Sequence, residues 1–154
     1  MDDAQVLLDW RNNAETREAC KQTDEVPLAT HVEWLGRTLE NPQRTLLVYQ
    51  LADGSAAGQV RIDLEEGGGC ELSWTMAPSS RGKGIGKRMV VLAASLAPRP
   101  ARAEIKDYNE ASKALAAACG MKMLRRAEDG LEYWGEANSE EECRQWLLQN
   151  PPKS

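Results

Sequence analysis

The stretch Cys70-Glu71-Leu72-Ser73-Trp74-Thr75-Met76, followed by Ala77-Pro78-Ser79-Ser80-Arg81-Gly82-Lys83-Gly84-Ile85-Gly86-Lys87-Arg88, decides how the chain is read. Its first seven residues are strand-like. Beyond it, Met89-Val90-Val91-Leu92-Ala93-Ala94-Ser95-Leu96 is apolar and rich in helix formers. A strand therefore ends, three glycines make a turn and a helix begins. That geometry points several backbone N–H groups, with the positive end of the helix dipole, at one spot. Such a spot binds phosphate. Glycine lets the backbone approach a bulky anion, and Arg81, Lys83, Lys87 and Arg88 add mobile positive charge around it. The plain alternative is a solvated, flexible Gly/Lys turn.

Three phosphate loops can be compared with these residues. A nucleoside-triphosphate loop needs G-x-x-x-x-G-K-[ST], but Gly86-Lys87 is followed by Arg88, and the position five before Gly86 is Arg81. A dinucleotide fingerprint G-x-G-x-x-G would need glycine at Lys87. The pattern R-x-x-G-x-G fits, as Arg81-Gly82-Lys83-Gly84-Ile85-Gly86. It resembles the pyrophosphate-binding loop of the GNAT superfamily of acetyl-CoA-dependent N-acetyltransferases. Later, Asn109-Glu110-Ala111-Ser112-Lys113-Ala114-Leu115 and Cys119-Gly120-Met121 are similar to the superfamily's N-x-x-[SA]-x-x-L-Y-x-x-x-G-F segment. Order and spacing agree from Leu7 to Trp134.

The fold implied by this resemblance is mixed α/β (α+β): a twisted, mostly antiparallel sheet flanked by helices. One domain over residues 1–154 is expected, ending in an amphipathic helix at 138–150. The superfamily usually opens with a strand, whereas this chain begins almost inside the first helix. Either the edge strand is lost, or another element such as the C-terminal segment replaces it. An uncovered edge invites pairing with a second subunit, so a homodimer is a possible partner state. A piece of a larger two-domain protein is a further reading of the same departure.

Composition sets bounds. The 154 residues carry 28% charged and 42% hydrophobic side chains and a formal net charge of −5, with no run long enough to span a membrane. That balance gives nucleic acid no electrostatic footprint. Met1-Asp2-Asp3 lacks the basic-then-apolar pattern of a secretory signal, so a cytoplasmic location is expected. Cys20, Cys70, Cys119 and Cys143 form no C-x-x-C pair and His31 is the only histidine, which argues against a metal site. Cys70 and Cys119 read as small buried hydrophobes.

In chain order, residues 3–10 place Val6, Leu7 and Trp10 at helical spacing, with Asp2 or Asp3 available as a cap. Arg11-Asn12-Asn13 breaks that helix, and 14–20 adds a short turn. Thr30-His31-Val32-Glu33 has the form of a capping box opening a helix that Asn41-Pro42 stops. Strands are expected at 45–50, 57–64, 70–76 and 101–106, and as a hairpin at 121–126 and 131–134. On 57–64, Gln59, Arg61 and Asp63 make one polar face. A helix at 109–119 ends at Gly120, where left-handed geometry is tolerated.

Acyl transfer from a thioester to an amine needs a held thioester, an oxyanion site, a neutral amine and a leaving group. The resemblance implies that the main chain of Thr75 and Met76 bonds the pantetheine and polarises the acetyl carbonyl, a backbone donor there being worth about 2.7–4 kcal/mol. It also implies that the amides of Arg81, Gly82, Lys83, Gly84, Ile85 and Gly86 cradle the pyrophosphate, and that Asn109 and Ser112 contact the coenzyme. Glu71 is the candidate base, since Glu71, Ser73 and Thr75 share one face of the strand. The plain reading of Glu71 is a solvent-facing strand charge. The family's leaving-group tyrosine falls on Ala116, so an acid role passes to Tyr108, Ser112, water or nothing.

Trp10-Arg11-Asn12 and His31-Val32-Glu33-Trp34-Leu35 resemble the W-R-N … H-x-x-W/F-L pattern of one GNAT branch. That branch includes the amino-sugar acetyltransferase of pseudaminic acid biosynthesis and borders the ribosomal-protein N-terminal acetyltransferases. The implied acceptor is the amine of a nucleotide-linked amino sugar, with Trp10, Arg11, Asn12, Arg17 and His31 near it. A protein N-terminal amine and a non-catalytic coenzyme-binding module are the alternatives. The plain reading of the same residues makes Trp10 and Trp34 core, Asn12 a turn cap, Arg11 a surface charge and His31 a solvent-exposed first-turn residue.

Overall fold

Val60 and Ile62 alternate with Gln59, Arg61 and Asp63, the period of a strand with one covered face, and both apolar side chains are buried. This strand sits second in a six-stranded sheet. A computed structural model describes residues 3–20, 22–66, 68–136 and Leu148. The elements are α1 (Ala4–Asn12), α2 (Ala14–Ala19), α3 (Leu28–Glu40), β1 (Arg44–Gln50), β2 (Ala56–Leu64), β3 (Cys70–Met76), α4 (Ile85–Leu96), β4 (Ala101–Lys106), α5 (Glu110–Ala118), β5 (Lys122–Arg126) and β6 (Leu131–Gly135). A single 3₁₀ turn, Pro78–Ser80, joins β3 to the glycine loop. The expected C-terminal helix at 138–150 lies outside the described residues apart from Leu148.

The strand order is β1-β2-β3-β4-β6-β5, all neighbours antiparallel except β3 and β4. This is the mixed, mostly antiparallel sheet that the resemblance implies. Strand alternation sorts the side chains onto two faces. On one, Val60, Ile62, Cys70, Leu72, Ala103 and Ile105 pack with Met89, Val90 and Ala116 of α4 and α5. On the other, Leu46 and Val48 pack with Leu7, Trp10, Leu35 and Ala77. The N-terminal helices thus cover one end of the polar face, and α4 and α5 cover the apolar one. Gly58 is needed where α4 presses closest: a Cβ there would lie 2.7 Å from Met89 Sδ and 2.9 Å from the Thr75 carbonyl oxygen.

The sheet starts at β1, whose outer edge has no partner strand among the described residues. Two helix starts and one helix end differ from expectation. Asp3 occupies the cap position of α1 without a side-chain cap bond. That helix runs on through Arg11 and Asn12, and the break falls at Asn13, whose side chain accepts from the Thr16 amide at 3.4 Å and caps α2. Thr30 and Glu33 form no capping box, because α3 begins at Leu28 with Pro27 before it. Glu33 instead pairs with Arg37 at 3.2 Å, one turn on.

Candidate active site

Cys70 pairs with Ala101 and Glu71 with Arg102, and β3 and β4 share no register beyond them. Parallel strands that part in this way leave an opening on the β4 side of residues 73–76. Which amides face it follows from strand parity. The Cys70 N–H donates to the Pro100 carbonyl, on the β4 side, at 3.0 Å, and the Ala77 N–H donates to Ala57 on β2 at 2.9 Å. Alternation then turns the N–H groups of Trp74 and Met76 into the opening, and that of Thr75 toward β2. Of the two expected amides, that of Met76 thus faces the opening and that of Thr75 does not, whereas the Trp74 amide does. Sequence reasoning passed over Trp74, although counting in twos from Cys70 would have found it.

The glycine loop continues from this strand. Gly82 and Gly84 both have φ +75°, and a Cβ on either would meet nothing within 4 Å, so the loop faces open space. Among the described residues no backbone acceptor takes the N–H groups of Gly82, Lys83, Gly84, Ile85 or Gly86. Gly84 is the first flank of α4 and supplies no side-chain cap. Orphan donors of one helix end are thus gathered and unshielded. The Arg81 amide is a different case, because it donates to the Pro78 carbonyl at 3.4 Å. Its guanidinium is not mobile charge either. It donates to Asn13 Oδ1 at 3.3 Å, Thr16 Oγ1 at 2.7 Å and Glu15 Oε2 at 2.6 Å, pinning the loop to the start of α2. Lys83, Lys87 and Arg88 are the exposed cations of the loop.

Asn109 caps α5, its Oδ1 accepting from the Ser112 amide at 3.1 Å. Ser112 Oγ accepts from Trp74 Nε1 at 3.1 Å, a bond that reaches from β3 to α5. Ala116, at the position where the resemblance would put a phenol, is fully enclosed. Tyr108 is exposed, and its hydroxyl donates to the Glu18 carbonyl.

 Both the Lys106 ammonium, at 2.7 Å, and the Tyr108 hydroxyl thus end on the Glu18 carbonyl, while Lys113 Nζ donates to the Asp107 carbonyl at 2.8 Å. Tyr108 therefore ties the end of β4 to α2.

Glu71 does share the polar face with Ser73 and Thr75, but it sits at the paired end of the strand, opposite Asp63 and Arg102. Three residues of strand put it roughly 10 Å from Trp74. Glu104 of β4 was not singled out from the sequence. It stands two residues beyond Arg102, as Ser73 stands two beyond Glu71, so both follow the last paired residues on the polar face.

The expected acceptor residues are mostly spent on the fold. Trp10 is buried with Leu7 and Leu35. Asn12 holds the Val26 backbone in both directions, donating to its carbonyl at 2.9 Å and accepting from its N–H at 2.7 Å. Arg11 Nη2 donates to the Gln22 carbonyl at 2.8 Å. His31 is not solvent-exposed: it is buried and stacked on Trp34 at 5.6 Å between centroids. Burial above all lowers its pKa from 6.5, helped by the nearby Arg11 charge and opposed by the Ala4 backbone. The Arg11 Nη1, Arg17 Nε and His31 Nε2 atoms are enclosed without a hydrogen-bond partner among the described residues. Cys70 is no nucleophile, since burial and the surrounding carboxylates push its thiol up to about 11. No three of His, Cys, Asp and Glu gather as a metal site among the described residues, and no helix among them is long and apolar enough to cross a membrane.

A parted pair of parallel strands, an unshielded helix start and strand amides turned into the gap make up the candidate site. The chain belongs to the acetyltransferase (GNAT) domain family, whose model matches residues 1–122. It is an acyltransferase of that class. Solved structures share the fold at low identity. Spermidine N-acetyltransferase from Vibrio cholerae, in complex with CoA and spermine, is 13% identical at a TM-score of 0.75, covering 87% of this chain and 88% of that one. An aminoglycoside acetyltransferase in complex with coenzyme A and kanamycin is 17% identical at 0.70, covering 98% and 95%. An acetyltransferase from Salmonella typhimurium, solved with acetyl-CoA, is 19% identical at 0.70, covering 90% of each chain. No curated protein matches the sequence.

Proposed function

We propose that the chain moves acetyl from acetyl-CoA to the primary amine of a small molecule. The observation that carries this reading is the continuous path from the Trp74 and Met76 amides to the free amides of residues 82–86. The first end suits a thioester carbonyl and the second a diphosphate. Lys83, Lys87 and Arg88 add charge beside the diphosphate. Acetyl transfer forms a C–N bond and breaks the C–S bond, with the electron pair leaving on sulfur. The attacking amine must first be neutral. Glu71 and Glu104 are the carboxylates of the polar face placed to take its proton, through water in the case of Glu71.

For the acceptor, a nucleotide-linked amino sugar is the specific reading. Its support is the W-R-N and H-x-x-W-L pattern together with the enclosed, unpartnered guanidinium atoms of Arg11 and Arg17, which suit a phosphate. A polycationic amine is the second reading. It is favoured by the exposed carboxylates Glu15, Glu18, Asp24 and Glu25 around α2 and the segment after it, and by the spermine and kanamycin held in similar structures. Turnover of acetyl-CoA, followed by release of free thiol, decides between them across a panel of UDP-amino sugars, polyamines and aminoglycosides. Turnover confined to the sugars supports the first reading, and turnover confined to the polycations supports the second. Absence of coenzyme A binding by calorimetry overturns acetyl transfer itself. The open edge of β1 further supports a homodimer, and a cytoplasmic site of action fits the thioester donor.

A further inference from the structure

We propose that Lys106 is a self-acetylation site, its ε-amine taking the acetyl group from acetyl-CoA bound by the same chain. The inference rests on the acetyl-transfer reading above. Lys106 closes β4, four residues beyond Arg102, as Thr75 stands four beyond Glu71 on β3. Alternation puts both side chains on the polar face, one on each flank of the opening. Thr75 lies between Trp74 and Met76, whose amides turn into that opening. Lys106 is the one lysine of the two strands that frame it. Its amine is also held in place. Nζ donates to the Glu18 carbonyl at 2.7 Å and lies 5.9 Å from the centre of the Tyr108 ring. Glu18 belongs to α2, and the start of α2 takes the Arg81 guanidinium. The helix is thus tied to both flanks of the opening, at Arg81 beyond β3 and at the end of β4, and the Lys106 ammonium sits within that bridge.

The neighbouring lysines are placed otherwise. Lys83 and Lys87 belong to the glycine loop, at the diphosphate end, and Lys113 Nζ is engaged by the Asp107 carbonyl and by Glu110, both at 2.8 Å. One hydrogen bond and one ring contact hold Lys106, on a flexible four-carbon stem, so its release needs no rearrangement of the fold. An ammonium has no lone pair, and Lys106 first gives a proton to water. The neutral nitrogen attacks the acetyl carbon, a C–N bond forms, the C–S bond breaks and the electron pair leaves on sulfur as the thiolate of coenzyme A. The side chain becomes an uncharged amide. It loses its attraction to the Tyr108 ring, and the Tyr108 hydroxyl remains as the tie from the end of β4 to Glu18.

The test needs no amine acceptor. The full chain is incubated with acetyl-CoA alone, and intact mass with peptide mapping follows the acetyl group. One acetyl group is expected, on Lys106, arriving by a first-order process whose rate does not change with protein concentration. A held amine beside a bound thioester reacts at a high effective concentration, so this rate exceeds that of any lysine in the urea-unfolded chain by about tenfold or more. Lys106→Arg, which keeps the cation, removes the modification and still binds coenzyme A by calorimetry. An unmodified chain, acetyl groups spread over the lysines as in the unfolded chain, or a rate that rises with protein concentration overturns the inference while coenzyme binding stands. Failure of the unaltered protein to bind coenzyme A instead overturns the acetyl-transfer reading beneath it.

Discussion

Gly84 and Gly86 stand two residues apart for different physical reasons. Gly84 needs its left-handed φ of +75° and has open space around it, whereas Gly86 is helical and its Cβ would touch Leu115 and Met76 at 3.4 Å. Gly84→Ala therefore strains the loop by about 1–2 kcal/mol without a steric clash. It should lower the melting temperature slightly and weaken coenzyme A binding by about tenfold or more, as measured by calorimetry, because the amides are re-aimed. Equal affinity in the variant would mean that the loop does not grip the diphosphate. The motif itself was legible, since glycine spacing and basic residues are local. The destination of the Arg81 side chain was not, because its partners lie 65 to 68 positions away in sequence. The burial of His31 was missed for a similar reason: which side of α3 is covered depends on α1, not on the neighbours of His31 in sequence.

Among the elements, strands and helix bodies were legible within one or two residues, and caps were not. The Thr30–Glu33 pattern satisfies the rule for a capping box, but a helix that starts earlier, at Leu28, leaves it inside the first turn. The contact of α3 with α1 carries a pH dependence. His31 is held neutral in the fold, with its pKa below 6.5. As pH falls, the unfolded chain takes up this proton first. The stabilisation is therefore fully present above pH 6.5 and is lost as pH falls through the lowered folded value. Thermal melts from about pH 8 to about pH 5 should show a decline that is shallower in His31→Phe, which keeps a ring against Trp34. Equal slopes in both proteins would show that His31 does not titrate with unfolding.

At the scale of the molecule, β1 is one of the two sheet edges among the described residues, and Leu28, Val32 and Leu39 of α3 expose apolar surface on the helix that packs against it. An uncapped edge beside apolar side chains favours a second copy. Sedimentation should give a dimer mass, and Val32→Glu with Leu39→Glu should shift it to the monomer while leaving the circular dichroism spectrum unchanged. A monomer mass for the unaltered chain at micromolar concentration would refute the pairing. The helical opening of the sequence could be noticed, but what lies against β1 could not, because edge pairing leaves no periodic signal of its own.

The grip of Arg81 on Asn13, Glu15 and Thr16 has a kinetic corollary. One side chain serves as a strut between the glycine loop and the start of α2, so Arg81→Ala should release both together and speed amide exchange in α2 as well as in the loop.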